Sequence, residues 1–167
     1  MPEKKVLDRA KEDARQGKSV GTQAGEFVRE EFEHIREGKH GARSSKQAIA
    51  IGLSKARRAG IPLKAPKAGS TSEETRRKAA RDSERGRNAE DRPPSRTRSR
   101  ATQAALQREG HSAGSKLAIS RQTRAAARKR SAAARSESAR KASATKGRTG
   151  RSQAARKAAR RRAARKG

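Results

Sequence analysis

"EFEHIREGKHGARSSKQAIAIGLSKARRAG", Glu31 to Gly60, is where a turn of glycine and histidine joins two segments with real apolar side chains. On its N-terminal side Ala24, Val28, Phe32 and Ile35 recur at i, i+4, i+8 and i+11, with Phe27 beside them. That spacing predicts one buried face of a helix from Thr22 to Glu37. Thr22 suits the N-cap, Glu26, Glu30 and Glu31 suit the early turns, and Gly38 suits the stop. On the other side Ser44 and Gln47 form a capping-box pattern. Ile49, Gly52, Leu53 and Ala56 make a second stripe, with Ala48 and Ile51 at its edges. Lys55, Arg57 and Arg58 complement the helix dipole before Gly60 and Ile61-Pro62 end it. The expectation is an αα-hairpin over residues 22–60.

Outside this stretch, apolar content falls away. Val, Ile, Leu, Phe and Met supply 16 of 167 residues, and apart from Met1 twelve of them lie between Val6 and Leu63. Any core is therefore N-terminal. Charge runs the other way, with net +5 over residues 1–62, +7 over 63–120 and +17 over 121–167. A head of mixed charge gives way to a polycation, and polycations bind polyanions, nucleic acid first among them. Anionic membrane is the weaker partner, because the residues from Ser120 on carry no Leu, Phe or Trp to insert, and no membrane association is expected. The absence of cysteine excludes disulfides and thiolate chemistry. No apolar run reaches transmembrane length and the first residues do not read as a signal peptide, so a cytoplasmic, nucleoid location is expected.

The chain divides on this reading into four parts. Residues 1–62 form a helical head, with a short polar helix from Glu3 to Gln16 ahead of the hairpin. Residues 63–97 are a basic linker holding a marginal helix over 73–89, capped from Thr71 to Glu74. Residues 98–119 echo the hairpin, either as a degenerate second copy or through biased composition alone: "TQA" and "REGHSAG" there match "TQA" and "REGKHGA" at Thr22 and Arg36. Residues 120–167 are an Ala/Arg/Lys-rich low-complexity tail. Its residues favour helix, but its basic groups surround the helical wheel and repel one another. The fold class expected is all-α: an N-terminal helical hairpin followed by a largely disordered or conditionally helical basic tail.

The turn "GKHGARSS" is the sharpest candidate site. Lys39, His40 and Arg43 bring cations to a helix opening at Ser44, which is a physical recipe for holding a phosphate; the alternative is a glycine-stopped turn with a solvated basic surface. It lacks the order of a Walker loop. Lys46, Lys55, Arg57 and Arg58 continue the basic surface along the following helix. In the tail Arg128, Lys129, Arg130, Arg156, Lys157, Arg160, Arg161, Arg162, Arg165 and Lys166 are the expected phosphate contacts. No catalytic residue, metal ligand or cofactor is expected. His34, His40 and His111 lack metal-site spacing, and His34 among Glu30, Glu31, Glu33 and Glu37 reads as a solvated helix face.

From Gly25 to Leu63 the chain resembles a group of small, very basic bacterial proteins that share a domain of unknown function. "RSRATQAALQREGHSAGSKLAISRQTRAAARKR" is similar to the downstream part of that group. Members are commonly labelled DNA-binding or plasmid-stabilisation proteins, and the resemblance implies such a role. The tail is similar to linker-histone tails in composition. The expected function is non-specific binding of double-stranded DNA as a histone-like, nucleoid-associated or plasmid-maintenance protein, not an enzyme, with a homo-oligomer formed through the hairpin. An RNA-binding or ribosome-associated protein, and a protein-interaction module with a basic localisation tail, are the alternatives.

Overall fold

The computed structural model describes residues 2–88 and 95–164. Among these, all regular structure is helical: α1 Lys4–Arg15, α2 Val20–Arg36, α3 Ser45–Arg58, α4 Glu73–Arg87, α5 Arg96–Gln107, a 3-10 turn Ser112–Gly114, α6 Lys116–Arg128 and α7 Ala132–Ala163. The chain divides within α6 into a unit ending at Gln122 and a second beginning at Thr123.

Hydroxyl caps set the helix starts in the first unit. Ser19, not Thr22, caps α2: its Oγ accepts from Thr22 N at 3.2 Å, and the two hydroxyls lie 3.0 Å apart. The helix therefore begins at Val20, two residues before the expected cap. Ser44 caps α3 through Gln47 N at 3.2 Å. The returning leg of this box goes one residue further than expected, with Gln47 Oε1 accepting from Arg43 N at 2.8 Å. Ser72 caps α4, one residue past Thr71. Ala89, the last residue of the helix expected there, and residues 90–94 of the expected linker lie outside the described residues, whereas α5 begins at Arg96, inside that linker.

Two apolar clusters hold this unit. In the first, Val6 and Ala10 of α1 meet Ala24 and Phe27 of α2 and Ala56 of α3, with Leu7, Leu53, Ile61 and Leu63 around them. In the second, Phe32, Ile35, Ala42 and Ala48 meet Ala113 of the 3-10 turn, with Val28, Ile49 and Ile119 packed against them. Helices α2 and α3 approach closely at Gly52, where a Cβ would stand 2.7 Å from Val28 Cα.

The structure corrects the expected fold class on two counts. The N-terminal part is not a helical hairpin: α1 packs on α2, α4 packs on α3, and the 3-10 turn touches both α2 and α3. The reason is that the α2 and α3 faces are too wide for each other alone, so small residues on α1, α4 and the turn, Ala10, Ala79 and Ala113, fill the remaining sides. Nor is the tail disordered. In the second unit α7 is helical from Ala132 to Ala163, with one non-helical residue, Gly147, at φ 64°. Alanine, arginine and lysine have high intrinsic helix propensity. Like-charge pairs on a solvated helix oppose it by only about 0.2–0.5 kcal/mol each. A Ser131 cap on Ala134 N and the Glu137–Lys141 pair at 2.7 Å add to it.

The segment read as a second hairpin holds α5, the 3-10 turn and the start of α6. Its turn lies against the first turn. Gly41 N donates to Leu106 O at 2.9 Å, Ala42 N to Gly110 O at 3.1 Å, and Ser45 Oγ to Ala113 O at 2.6 Å. A Cβ at Gly41 would fall 1.9 Å from Glu109 O, so only glycine permits this contact.

Candidate nucleic-acid interface and buried ionic cluster

The expected tail cations are presented to solvent. Arg128, Lys129 and Arg130 are exposed at the end of α6 and the turn that follows. Arg156, Lys157, Arg160, Arg161 and Arg162 are exposed on α7, which has no buried residue. Arg165 and Lys166 lie outside the described residues. Between Ala132 and Ala163 the sequence carries eleven basic side chains and one acidic one, Glu137.

The head cations divide. Lys46 and Arg58 are exposed, Arg58 with its Nε 3.8 Å from Asp82. Arg43 is exposed and reaches Glu109 at 3.5 Å. Lys39 sits between Glu37 at 3.0 Å and Glu3 at 3.2 Å. These two hydrogen bonds, Glu37 first, hold its ammonium above the usual lysine range. The remaining two turn inward. Arg57 is buried beneath the Leu63–Lys64 segment, donating to Lys64 O at 3.4 Å. Burial pushes its pKa down, with the nearby Asp82 opposing. Lys55 forms an ion pair with Glu31 and lies 3.5 Å from Glu30. The turn thus gathers Lys39, His40, Arg43 and Ser44 in one place, but its charges face carboxylates, and its Arg43 and Gln47 N–H groups face side-chain oxygens.

Lys55 leads to Glu30 and Glu31, which with His34 were expected on a solvated helix face. Glu30 and Glu31 are 2 % and 0 % exposed. Glu30 Oε1 accepts from the backbone N of Glu3 at 2.6 Å. Its Oε2 and both oxygens of Glu31 are buried, and their contacts are the ion pairs with Lys55 and, for Glu31 Oε2, His40 rather than regular hydrogen bonds. His40 Nδ1 lies 3.0 Å from Gly41 O, and its Nε2 stands 3.5 Å from Glu31 Oε2. His34 Nε2 lies 3.0 Å from Glu3 Oε1. The His34 contact, then Lys39, holds the Glu3 carboxyl below the usual carboxylate range. The two imidazoles meet edge to face, with centroids 5.8 Å apart. One potential ligand atom from each of Glu31, His34 and His40 lies within 4.8 Å of the others, and Glu3, Glu30 and His34 form a second such set.

A signal for Glu31 was present in the sequence. It lies four residues after Phe27 and four before Ile35, within the apolar stripe. The bringing-in of His40 from beyond Gly38 carried no such signal, because it depends on the path of the turn.

No described helix is long and apolar enough to cross a membrane. No curated protein and no solved structure matches the chain. Residues 11–69, from the last turn of α1 to the loop before α4, match a family of unknown function, DUF6496, so an uncharacterised domain covers α2, α3 and the turn between them.

Proposed function

We propose that this protein binds double-stranded DNA without sequence specificity, in a nucleoid-associated or plasmid-maintenance role. The observation that supports this reading is α7, whose eleven basic side chains stand against one acidic residue and whose length has no buried residue. A helix of this kind has no apolar face to spend on a protein partner. Its cations would displace counterions from the phosphates, which drives binding and leaves base identity unread. A helix about 10–12 Å across fits a major groove about 12 Å wide. The segments on either side of Gly147 run to about 22 and 24 Å at about 1.5 Å per residue. A break between them would let the pair follow a curved groove. On the head, Lys46, Arg43 and Arg58 are also exposed to solvent.

The test is the salt dependence of duplex affinity for the full chain and for a variant with Arg156, Lys157, Arg160, Arg161 and Arg162 all changed to glutamine, which retains helix propensity. Each phosphate contact contributes a slope of about −0.9 in log K against log salt. If the five cations each meet a phosphate, the variant's slope is shallower by about 4 to 5 units, equally on unrelated sequences. An unchanged slope would remove α7 from the interface. Tighter binding to an RNA duplex than to DNA of the same sequence would move the reading to RNA.

A further inference from the structure

The geometry points to a divalent metal site of the zinc class formed by Glu31, His34 and His40, fixing the turn after α2 to the body of the head. Nothing in the nucleic-acid reading requires it, and the two stand or fall separately.

The first argument is charge. Glu30 and Glu31 are almost fully buried, and Lys55 is the one ammonium paired to both. Two buried carboxylates thus share a single lysine, an arrangement that a bound cation would complete. The second argument is the pair His40 and Glu31. His40 Nδ1 is engaged with Gly41 O, the contact that commonly orients a ligating imidazole. Its other nitrogen then faces Glu31 Oε2 at 3.5 Å. That distance is long for a hydrogen bond. It is close to the separation of about 3.3 Å between two ligands of a tetrahedral zinc ion with bonds of about 2.0–2.1 Å. The third is Glu31 itself, which is 0 % exposed, with Oε2 aimed at His40 and lacking a hydrogen-bond partner. Its Oε1 is held by Lys55. This is the arrangement of a monodentate carboxylate ligand supported from behind.

His34, three residues after Glu31 on α2, supplies the third ligand, and Glu3 braces its ring at 3.0 Å. Binding draws the three ligand atoms inward from their 4.8 Å limit. Two imidazoles and a carboxylate suit zinc over magnesium or calcium, which favour all-oxygen shells. Both histidine side chains retain 13–14 % exposure, which gives the ion a way in. Because His40 lies beside Gly41 and Ala42, an ion here also steadies the backbone that pairs with Leu106 and Gly110.

The test uses the full chain, stripped with a chelator and titrated with cobalt(II) and then zinc(II). The expected result is one equivalent of cobalt with the intense visible bands of a four-coordinate ion, displaced by zinc. His34→Ala and His40→Ala each weaken zinc binding by more than about tenfold, the scale on which even supporting contacts act. His111→Ala, at an exposed histidine outside the cluster, leaves it unchanged. His34→Asn and His40→Asn repeat the test if circular dichroism shows that an alanine variant has unfolded. Failure of the parent chain to bind, a spectrum of the six-coordinate aqua ion, or equal affinity in all the variants overturns the proposal.

Discussion

Gly52 shows how tightly the head is built. A methyl group there would stand 2.7 Å from Val28 Cα and 2.9 Å from Val28 N, and backbone cannot swing aside as a side-chain tip can. Gly52→Ala would normally gain helix propensity. Here the overlap decides the sign, and the variant is expected to lose about 1–3 kcal/mol, the usual range for overpacking. A lower urea midpoint with an unchanged slope in denaturant is the expected reading. A midpoint equal to or above that of the parent would mean that α2 and α3 have room to separate. The charged residues nearby have the opposite character. Glu31 shares the stripe of Phe27 and Ile35, yet is held by Lys55 from α3, so its place depends on a partner 24 positions away in the sequence.

At the scale of the element, α7 differs from the helices of the head. Those owe much of their order to burial: Phe27, Phe32 and Ile35 of α2 are almost entirely covered. Helix α7 buries nothing and rests on propensity, on its Ser131 cap and on local pairs such as Glu137–Lys141. Gly147, at φ 64°, interrupts it. A residue with a Cβ disfavours that conformation, extended at ψ −179°, by roughly 1–3 kcal/mol and favours the right-handed helix. Gly147→Ala is therefore expected to join the two segments and deepen the circular dichroism minimum at 222 nm. A spectrum identical to the parent's would show that something other than glycine's freedom holds the break. The tail, expected to be largely disordered or conditionally helical, is helical because propensity outweighs a self-repulsion that each exposed like-charge pair exerts through water.

At the scale of the molecule, the segment around Ala113 completes a core that the first 88 residues begin. Three hydrogen bonds join residues 41–45 to residues 106–113, and Ala113 and Ile119 pack on the Phe32–Ile35 cluster. A chain of residues 1–122 is expected to exceed a chain of residues 1–88 by about 3–5 kcal/mol, at about 1 kcal/mol for each hydrogen bond plus the apolar contacts. Urea unfolding of the two compares them directly, and equal stabilities would show that the contact adds nothing. The sequence by itself determined that the chain is helical, that its apolar residues gather before Leu63, and that its charge rises to a polycation. It also marked the glycine stops and the Ser44 cap. These follow from composition and from interactions within a turn or two of helix, where neighbours in sequence are neighbours in space. Only the tertiary structure decided that α1, α4 and the 106–114 segment enclose α2 and α3, that Lys55 and Arg57 turn inward, and that Glu31, His34 and His40 meet. Those outcomes depend on which faces pack, and a carboxylate on a helix looks the same in sequence whether water or a distant lysine lies opposite it.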